Sequence, residues 1–431
     1  MSKMTYKEAL DFLYSYLPMF QRVGAAAYKA NLDNTVAFDE YLSHPHRQFK
    51  SIHVAGTNGK GSVCHMLAAI LQTAGYRTGL YTSPHLKDFR ERIRVNGKCI
   101  QENDVVSFIG ENEAFIRELR PSFFEMSVAM AFDHFRKEKV DVAVIETGMG
   151  GRLDSTNIII PVVSVITNIG FDHTAFLGNT LDRIAGEKAG IIKQCVPVVI
   201  GETQETFEVF RQIATKHHAP IYLADQLYHL EEKIPVPEGR QSYRVYLNKM
   251  LALDGLETDL GGLYQRKNII TAIQTLDILK DKGFHISNKH IYRGFKNIKK
   301  LTGFRGRWEI IGHQPSIICD AGHNSNGIKE VVKQIKQIPY SHLHIVFGLV
   351  DDKDPIPVLE LLPEEAIFYF TQAGIPRAMD KDKLAAVARK TGLKGDTYPG
   401  PMQALEAAKN AAEADDLVFV GGSTFVVAEV L

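Results

Sequence analysis

The segment His53-Val54-Ala55-Gly56-Thr57-Asn58-Gly59-Lys60-Gly61-Ser62-Val63 limits what this chain can fold into more than any other stretch. Ser51 to Ala55 reads as a short buried strand, and Lys60 to Ala74 as a helix with Val63, Leu67, Ile70 and Leu71 on one face. The loop between them carries Gly56, Gly59 and Gly61. Glycine lets the backbone turn tightly and brings N–H groups close to a ligand without a Cβ in the way. A strand, a glycine loop and a helix N-terminus together form an anion site, because unpaired N–H groups and the positive end of the helix dipole meet phosphate oxygens. Lys60 is placed to reach the outer phosphates and Ser62 to face a bound Mg²⁺. The spacing differs from the usual P-loop, since the loop is shorter and the hydroxyl sits one position further from the lysine. A glycine turn that binds nothing is the alternative. The order of strand, glycines, lysine, hydroxyl and helix argues for phosphate.

At 431 residues the chain exceeds one ordinary core, so two domains are expected. Lysine plus arginine equals aspartate plus glutamate at 50 each, which leaves no field to hold nucleic acid or an anionic membrane. Cys64, Cys99, Cys195 and Cys319 form no CxxC pair and have no histidine at metal spacing, so they read as reduced thiols of a cytoplasmic protein. Met1 to Leu10 has no apolar signal core, and the run Ile158 to Ile166 is broken by Pro161 and too short to span a bilayer.

Thr5 to Leu17 reads as an amphipathic helix ended by Pro18. Thr78 to Thr82, Val140 to Ile145, Val162 to Ile166 and Val196 to Ile200 read as strands, and Lys87 to Asn96 as a charged loop. Ser122 to Lys137, Leu181 to Lys193 and Thr206 to His218 read as helices. This alternation predicts an α/β fold: a mostly parallel P-loop-type sheet with helices on both faces. Tyr228 to Leu260, punctuated by Pro235, Pro237, Gly239 and Gly255, reads as a small antiparallel appendage. Helices are expected at Gln265 to Lys282 and Asn288 to Ile298. We therefore expect an ATPase-type domain at 1–298, a basic hinge at 299–305 and a C-terminal Rossmann-like α/β domain at 306–431.

Ligands of open parallel sheets bind at the carboxyl ends of the strands. Ser83 follows the Thr78 strand, Glu146 the Val140 strand, and Asn168-Ile169-Gly170-Phe171-Asp172-His173 the Val162 strand. In a doubly wound sheet these converge near the phosphate loop. Ser83 and Glu146 offer oxygen ligands suited to Mg²⁺ and His173 a nitrogen. Taken singly, Ser83 is also a turn residue, Glu146 a loop cap and His173 a satisfied loop histidine.

Longer motifs then carry a resemblance. HVAGTNGKGSV (from His53), YTSPHL (from Tyr81), FRERIRVNG (from Phe89), ETGMGGRLDSTN (from Glu146), ITNIGFDHTAFLGNTLDRIAGEKAGIIK (from Ile166), FRGRWE (from Phe304), DAGHN (from Asp320) and GGSTFVVAEV (from Gly421) run through nearly the whole chain. The chain resembles the folylpolyglutamate synthase family and its bifunctional dihydrofolate synthase form, within the Mur-ligase superfamily. The resemblance implies an ATP- and Mg²⁺-dependent ligase that joins L-glutamate to tetrahydrofolate, and also to dihydropteroate. The acid attacks the γ-phosphate to give an acyl phosphate, which the glutamate amine then displaces. It implies ATP contacts from Thr57, Asn58, Gly59, Lys60, Gly61, Ser62, Asn268, Arg307 and Asp320, with His323 beside them. It implies metal ligation by Ser83, Glu146, His173 and Lys188, the last as a carbamate. Lys60, Lys188, His173, Asp320 and His323 are thereby the expected catalytic groups. Without the motif, Lys188 would read as a solvated helix lysine. The resemblance also implies pterin contacts from Arg22, Val23, Gly24 and Ala25, from Ser122, Phe123, Phe124 and Glu125, and from Leu153, Asp154 and Ser155. The second-domain motif here is Asp320-Ala321-Gly322-His323-Asn324, whereas the family more often has Asp-Gly-Ala-His-Asn; the aspartate and histidine keep their places.

A cytoplasmic monomer acting on small molecules is expected. Two rivals stand beside it. One is another Mur-type amino-acid ligase, which Thr82-Ser83-Pro84-His85 and Asp172-His173 disfavour. The other is a P-loop ATPase without ligase activity, which would hydrolyse ATP regardless of any acid acceptor.

Overall fold

The computed structural model describes residues 4–18, 31–232, 240–351 and 354–431. Arg22, Val23, Gly24 and Ala25, expected at the pterin, lie outside the described residues, as do Pro235, Pro237 and Gly239. Contacts divide the described chain into two units, with the break between Phe304 and Arg305; residues 260–264 group with the second unit.

The first unit is built on an eight-stranded sheet. Its strands are β1 (Lys50–Ala55), β2 (Thr78–Tyr81), β3 (Ile93–Val95), β4 (Lys98–Cys99), β5 (Val142–Glu146), β6 (Val163–Ile166), β7 (Val198–Ile200) and β8 (Ile221–Leu223), in the order β4-β3-β2-β5-β1-β6-β7-β8. From β2 to β8 all neighbours are parallel; β3 and β4 add an antiparallel edge. β5, β6 and β7 are buried throughout, as expected of parallel strands covered on both faces. The connections run to opposite sides of β1, so its carboxyl end opens at a topological switch point.

Local chemistry sets the helices. Thr5 and Glu8 form a capping box that starts the Tyr6–Tyr16 helix, and Ser122 and Glu125 form another that starts Phe123–Lys137. The Lys60–Thr73 helix is buried from Ser62 through Leu71, and not along one stripe alone. It is covered by the Asn288–Lys296 helix, where a Cβ on Gly294 would stand 2.5 Å from Ile70 Cγ1; only glycine allows that approach. The antiparallel appendage is β9 (Tyr228–Glu232), β10 (Gln241–Leu247) and β11 (Met250–Thr258), ordered β11-β10-β9.

The second unit holds β12 (Glu309–His313), β13 (Ser316–Asp320), β14 (Leu343–Phe347), β15 (Ile367–Thr371), β16 (Lys394–Tyr398) and β17 (Leu417–Gly421), in the order β12-β13-β17-β14-β15-β16. Only β12 is antiparallel to its neighbour. The fold is therefore the two-part α/β arrangement the sequence implies. Among the described residues no helix is long and apolar enough to cross a membrane.

Several local readings change. The charged loop 87–96 contains a 3-10 turn, Phe89–Arg92, and then β3, because Phe89, Ile93 and Val95 are buried between the arginines. The Leu181 helix ends at Ala189 and does not reach Lys193. The start of the expected hinge is helical, Ile298–Thr302, and the Phe304 ring lies 4.5 Å from the His65 ring.

Candidate active site

β1 delivers the chain into Gly56-Thr57-Asn58-Gly59, and the Lys60–Thr73 helix begins directly after with no side-chain cap on its first N–H groups. Both turning points require glycine. Gly56 has φ +149°, and a Cβ there would stand 1.8 Å from Thr167 Oγ1; Gly59 has φ +82°, and a Cβ there would stand 2.2 Å from Asn268 Oδ1. The end of β6 holds the loop in place. Thr57 N donates to Asn168 O at 2.9 Å, Asn58 N to Asn168 Oδ1 at 3.0 Å, and Thr167 Oγ1 to Asn58 O at 2.6 Å. Thr57 Oγ1 donates to Gly170 O at 3.1 Å and accepts from Gly170 N at 2.9 Å. Gln265 Nε2 donates to Ser62 Oγ at 3.3 Å, and Asn268 Nδ2 to Gln265 Oε1 at 2.8 Å, which fixes Asn268 against the loop.

Two lysines converge on this loop. Lys60 Nζ donates to Gly56 O at 3.0 Å and to Thr57 O at 3.2 Å. Lys188 Nζ reaches the same Gly56 O at 2.8 Å, from the last turn of the Leu181–Ala189 helix. Lys188 is 4% exposed. It is not the solvated lysine that its residue type suggests. Burial, and after it the charge of Lys60, lower its amine to about 7.

Glu146 ends β5 beside Val54 of β1, is buried, and accepts from Ser83 N at 3.1 Å through Oε2. A Cβ on Gly61 would stand 3.6 Å from the same oxygen, so the carboxylate borders the N-terminus of the loop helix. Ser83 and Glu146 thus meet beside the loop. His173 caps the short Thr174–Leu177 helix with φ +50°, and its Nε2 is 4.0 Å from Asp172 Oδ1. Among the described residues no three His, Cys, Asp or Glu side chains gather closely enough to hold a metal. The candidate donors are of another kind: the Glu146 carboxylate and Ser83 meet at one point, while His173 is placed beside Asp172 and the Lys188 amine on Gly56 O. The oxygen and imidazole donors fit a divalent cation. The Lys188 amine fits only once it carries CO₂, which replaces a donor N–H with carboxylate oxygens.

The Gly148–Asn157 loop ties these parts together. Asp154 accepts from Gly148 N and Met149 N, both at 2.8 Å, from Thr156 N at 3.0 Å and from Thr156 Oγ1. Thr156 Oγ1 spends its proton on Asp154 and so accepts from His53 Nε2 at 2.8 Å, a buried contact between the Ser155–Ile158 turn and β1. Burial pushes the His53 imidazole down to about 3, so it stays neutral. Arg152 N donates to Glu187 O at 2.7 Å, and Asn157 Nδ2 to Gly190 O at 3.0 Å. The loop therefore braces the end of the helix that carries Lys188. Thr156→Val leaves His53 and Asp154 each short of a buried partner. It is expected to lower stability by about 1–3 kcal/mol, read as a lower urea midpoint.

The expected pterin residues divide by role. Ser122 and Glu125 are occupied with each other as the helix start, and Phe123 is buried against Tyr14 and Phe89, ring centroids 5.7 Å from each. Asp154 is saturated within its own loop. Ser155 is buried, Leu153 is half-buried, and Phe124 packs under Gly148.

In the second unit, Asp320 ends β13. It accepts from Trp308 N at 2.8 Å, Gly322 N at 2.7 Å and the Tyr264 hydroxyl. Arg307 lies near enough for its charge to act on Tyr264, and His323 Nδ1 is 3.0 Å from Ala321 O. Sequence reasoning missed Tyr264, Thr156 and Asn157, each of which acts through a hydrogen bond to a residue distant in the chain.

Comparison with known proteins gives a consistent picture. The family described as Mur ligase middle domain matches residues 54–276, and the Mur ligase, glutamate ligase domain matches residues 306–424. The dihydrofolate synthase/folylpolyglutamate synthase of Bacillus subtilis is 32% identical over 401 residues, covering 90% of this chain and 91% of that protein. A Haloferax volcanii protein named "Probable bifunctional folylpolyglutamate synthase/dihydropteroate synthase" is 33% identical over 441 residues, and the chain spans 50% of its length. Among solved structures, Escherichia coli FolC in complex with DHPP and ADP matches with a TM-score of 0.85 at 28% identity, over 99% of this chain and 97% of that one. A Yersinia pestis bifunctional folylpolyglutamate synthase/dihydrofolate synthase with Mn, AMPPNP and L-glutamate bound matches with a TM-score of 0.84 at 27% identity, over 99% and 97%.

Proposed function

This chain belongs to the folylpolyglutamate synthase/dihydrofolate synthase family of Mur ligases, and from that premise we propose that it adds L-glutamate to tetrahydrofolate at the expense of ATP, and to dihydropteroate as well. The observation that carries the reading is the convergence of Lys60 and Lys188 on Gly56 O at an uncapped helix start, with Glu146 on the adjoining strand.

The chemistry follows from this placement. An acceptor carboxylate oxygen attacks the γ-phosphorus and ADP leaves. The glutamate amine then attacks the acyl carbonyl, loses a proton, and phosphate leaves with the oxygen that came from the carboxylate. The N–H groups at the uncapped start of the Lys60–Thr73 helix and the Lys60 ammonium offset the charge on the transferring phosphoryl group. Asn268 fits a nucleotide contact, since it is held against Gly59. Ser83, Glu146, His173 and a carbamylated Lys188 would hold Mg²⁺, which supplies positive charge to the phosphates and to the developing oxyanion. Arg307, Asp320 and His323 are assigned to ATP and to the ligation step, and Phe124 and Leu153 to the pterin. A hinge over 299–305 and a monomeric state belong to the same reading.

The test is ATP- and Mg²⁺-dependent incorporation of labelled L-glutamate, with tetrahydrofolate and dihydropteroate as separate acceptors. Incorporation into both is expected. ATP hydrolysis at the same rate with and without an acceptor would favour a plain ATPase instead.

A further inference from the structure

The Phe89–Val95 segment carries Arg90, Arg92 and Arg94, and they have different surroundings. Arg90 pairs with Asp88 at 2.7 Å and with Glu102 at 3.1 Å. Arg94 is half-buried and donates to Gly97 O at 3.3 Å. Arg92 turns inward and is 4% exposed. Its Nε donates to His85 Nδ1 at 2.8 Å, its guanidinium lies 5.2 Å from the centre of the Phe123 ring, and the Tyr81 hydroxyl faces it. Every one of these partners is neutral. An arginine Nε–H can only donate, so His85 accepts through Nδ1 and carries its proton on Nε2. No carboxylate among the described residues stands within ion-pairing distance of Arg92. The Glu146 charge acts on it from beyond that distance, and the Glu146 carboxylate accepts from Ser83 N.

A guanidinium stays protonated in a protein, and a buried cation without a counter-ion costs several kcal/mol of desolvation. Folding alone has no use for that arrangement, since methionine or leucine would fill the volume more cheaply. The position indicates what would offset the cost. Tyr81 is the last residue of β2 and lies beside Ile145, the residue before Glu146; His85 lies two residues beyond Ser83. The charge is therefore stored at the ligand end of the sheet, on the side of the candidate metal donors.

We propose that Arg92, held by His85, is the binding group for a carboxylate of a substrate glutamate unit that is not itself activated. The proposal rests on the glutamate-ligase reading. A planar guanidinium with its remaining N–H groups directed at one anion is the geometry that suits a carboxylate. Two sources share this chemistry: the terminal glutamate of a folate acceptor, and the incoming amino acid. Dihydropteroate has no glutamate, so it separates them.

The experiment uses the full chain with Arg92→Met and Arg92→Lys. KM is measured for tetrahydrofolate, dihydropteroate, L-glutamate and ATP, together with Tm in the absence of substrates. Arg92→Met is expected to raise one KM by roughly 10- to 100-fold, the loss expected for a charge-assisted pair. A rise for tetrahydrofolate without one for dihydropteroate assigns the acceptor's glutamate; a rise for L-glutamate with both acceptors assigns the incoming one. KM for ATP stays at its wild-type value, and the Tm of the variant equals or exceeds that of the wild type because an uncompensated charge has been removed. Unchanged KM values for every carboxylate substrate would overturn the proposal. So would a lower Tm with kcat reduced and KM unchanged, the signature of a packing role. Should Arg92→Met fail to fold, Arg92→Lys keeps the charge, loses the fork and is expected to show the same selective rise in KM. If the wild-type chain incorporates no glutamate, the ligase reading fails separately. The site is then read by the rise in Tm that L-glutamate or folate produces in the wild type, which Arg92→Lys should abolish; absence of that rise would overturn it.

Discussion

Lys60→Ala is expected to reduce acceptor-dependent ADP formation by roughly 100- to 1,000-fold while leaving the chain folded. In the structure Lys60 lies back on Gly56 O and Thr57 O, and it is half-buried. Gly56 O keeps its bond from Lys188 Nζ when the Lys60 side chain is removed, so stability falls by only about 1 kcal/mol. The catalytic loss is far larger, because the ammonium is needed where negative charge concentrates on the transferring phosphoryl group. The check is steady-state ADP release alongside thermal unfolding. Wild-type turnover in the variant would remove the loop from the mechanism. A secondary result follows: the charge of Lys60 is one of the causes that lower the Lys188 amine, so the variant should need a higher pH to bind CO₂ at Lys188.

Lys188→Met is expected to cost at least roughly 100-fold in glutamate incorporation, because it removes both the carbamate and the anionic donor it supplies to the metal. The pH dependence follows from the lowered amine. CO₂ adds only to the neutral form, which prevails above about 7. Wild-type activity in bicarbonate should therefore fall as the pH drops below about 7, and should fall at any pH on exhaustive removal of CO₂. Stability moves with the same group. The unfolded chain holds the Lys188 proton up to the ordinary lysine range and the folded chain releases it near 7, so between those limits the unfolded state binds more protons and CO₂-free stability rises with pH. Lys188→Met removes that penalty and should raise Tm most near pH 6. Incorporation that survives both the substitution and CO₂ removal would show that Lys188 carries no carbamate in the reaction.

The central parallel strands were legible from residue type alone. Val142–Glu146 and Val163–Ile166 are apolar runs too short for helices and buried on both faces, and the glycine loop after β1 has a mechanical reason for each glycine. The edges were less legible. β3 alternates arginine with buried Ile93 and Val95, which resembles a charged loop, and β16 at the rim of the second sheet is largely polar. Of the candidate site, the loop and the Ser83–Glu146 contact followed from strand order, since both lie at carboxyl ends of neighbouring strands. The environment of Lys188 did not, because burial of a lysine is decided by what packs over it. Here that is the loop Asp154 organises and Asn157 pins to Gly190 O. Asp154 itself reads as a ligand by type, yet its lone pairs are taken up by its own backbone.

The central claim is that ATP activates an acid as an acyl phosphate at the Gly56 loop, and one isotope experiment tests it directly. Dihydropteroate labelled with ¹⁸O in its carboxylate is turned over with ATP, Mg²⁺ and L-glutamate, and the inorganic phosphate is collected. Each amide bond formed should deliver one ¹⁸O to phosphate. Unlabelled phosphate alongside amide formation, or phosphate release that ignores the acid, would contradict it.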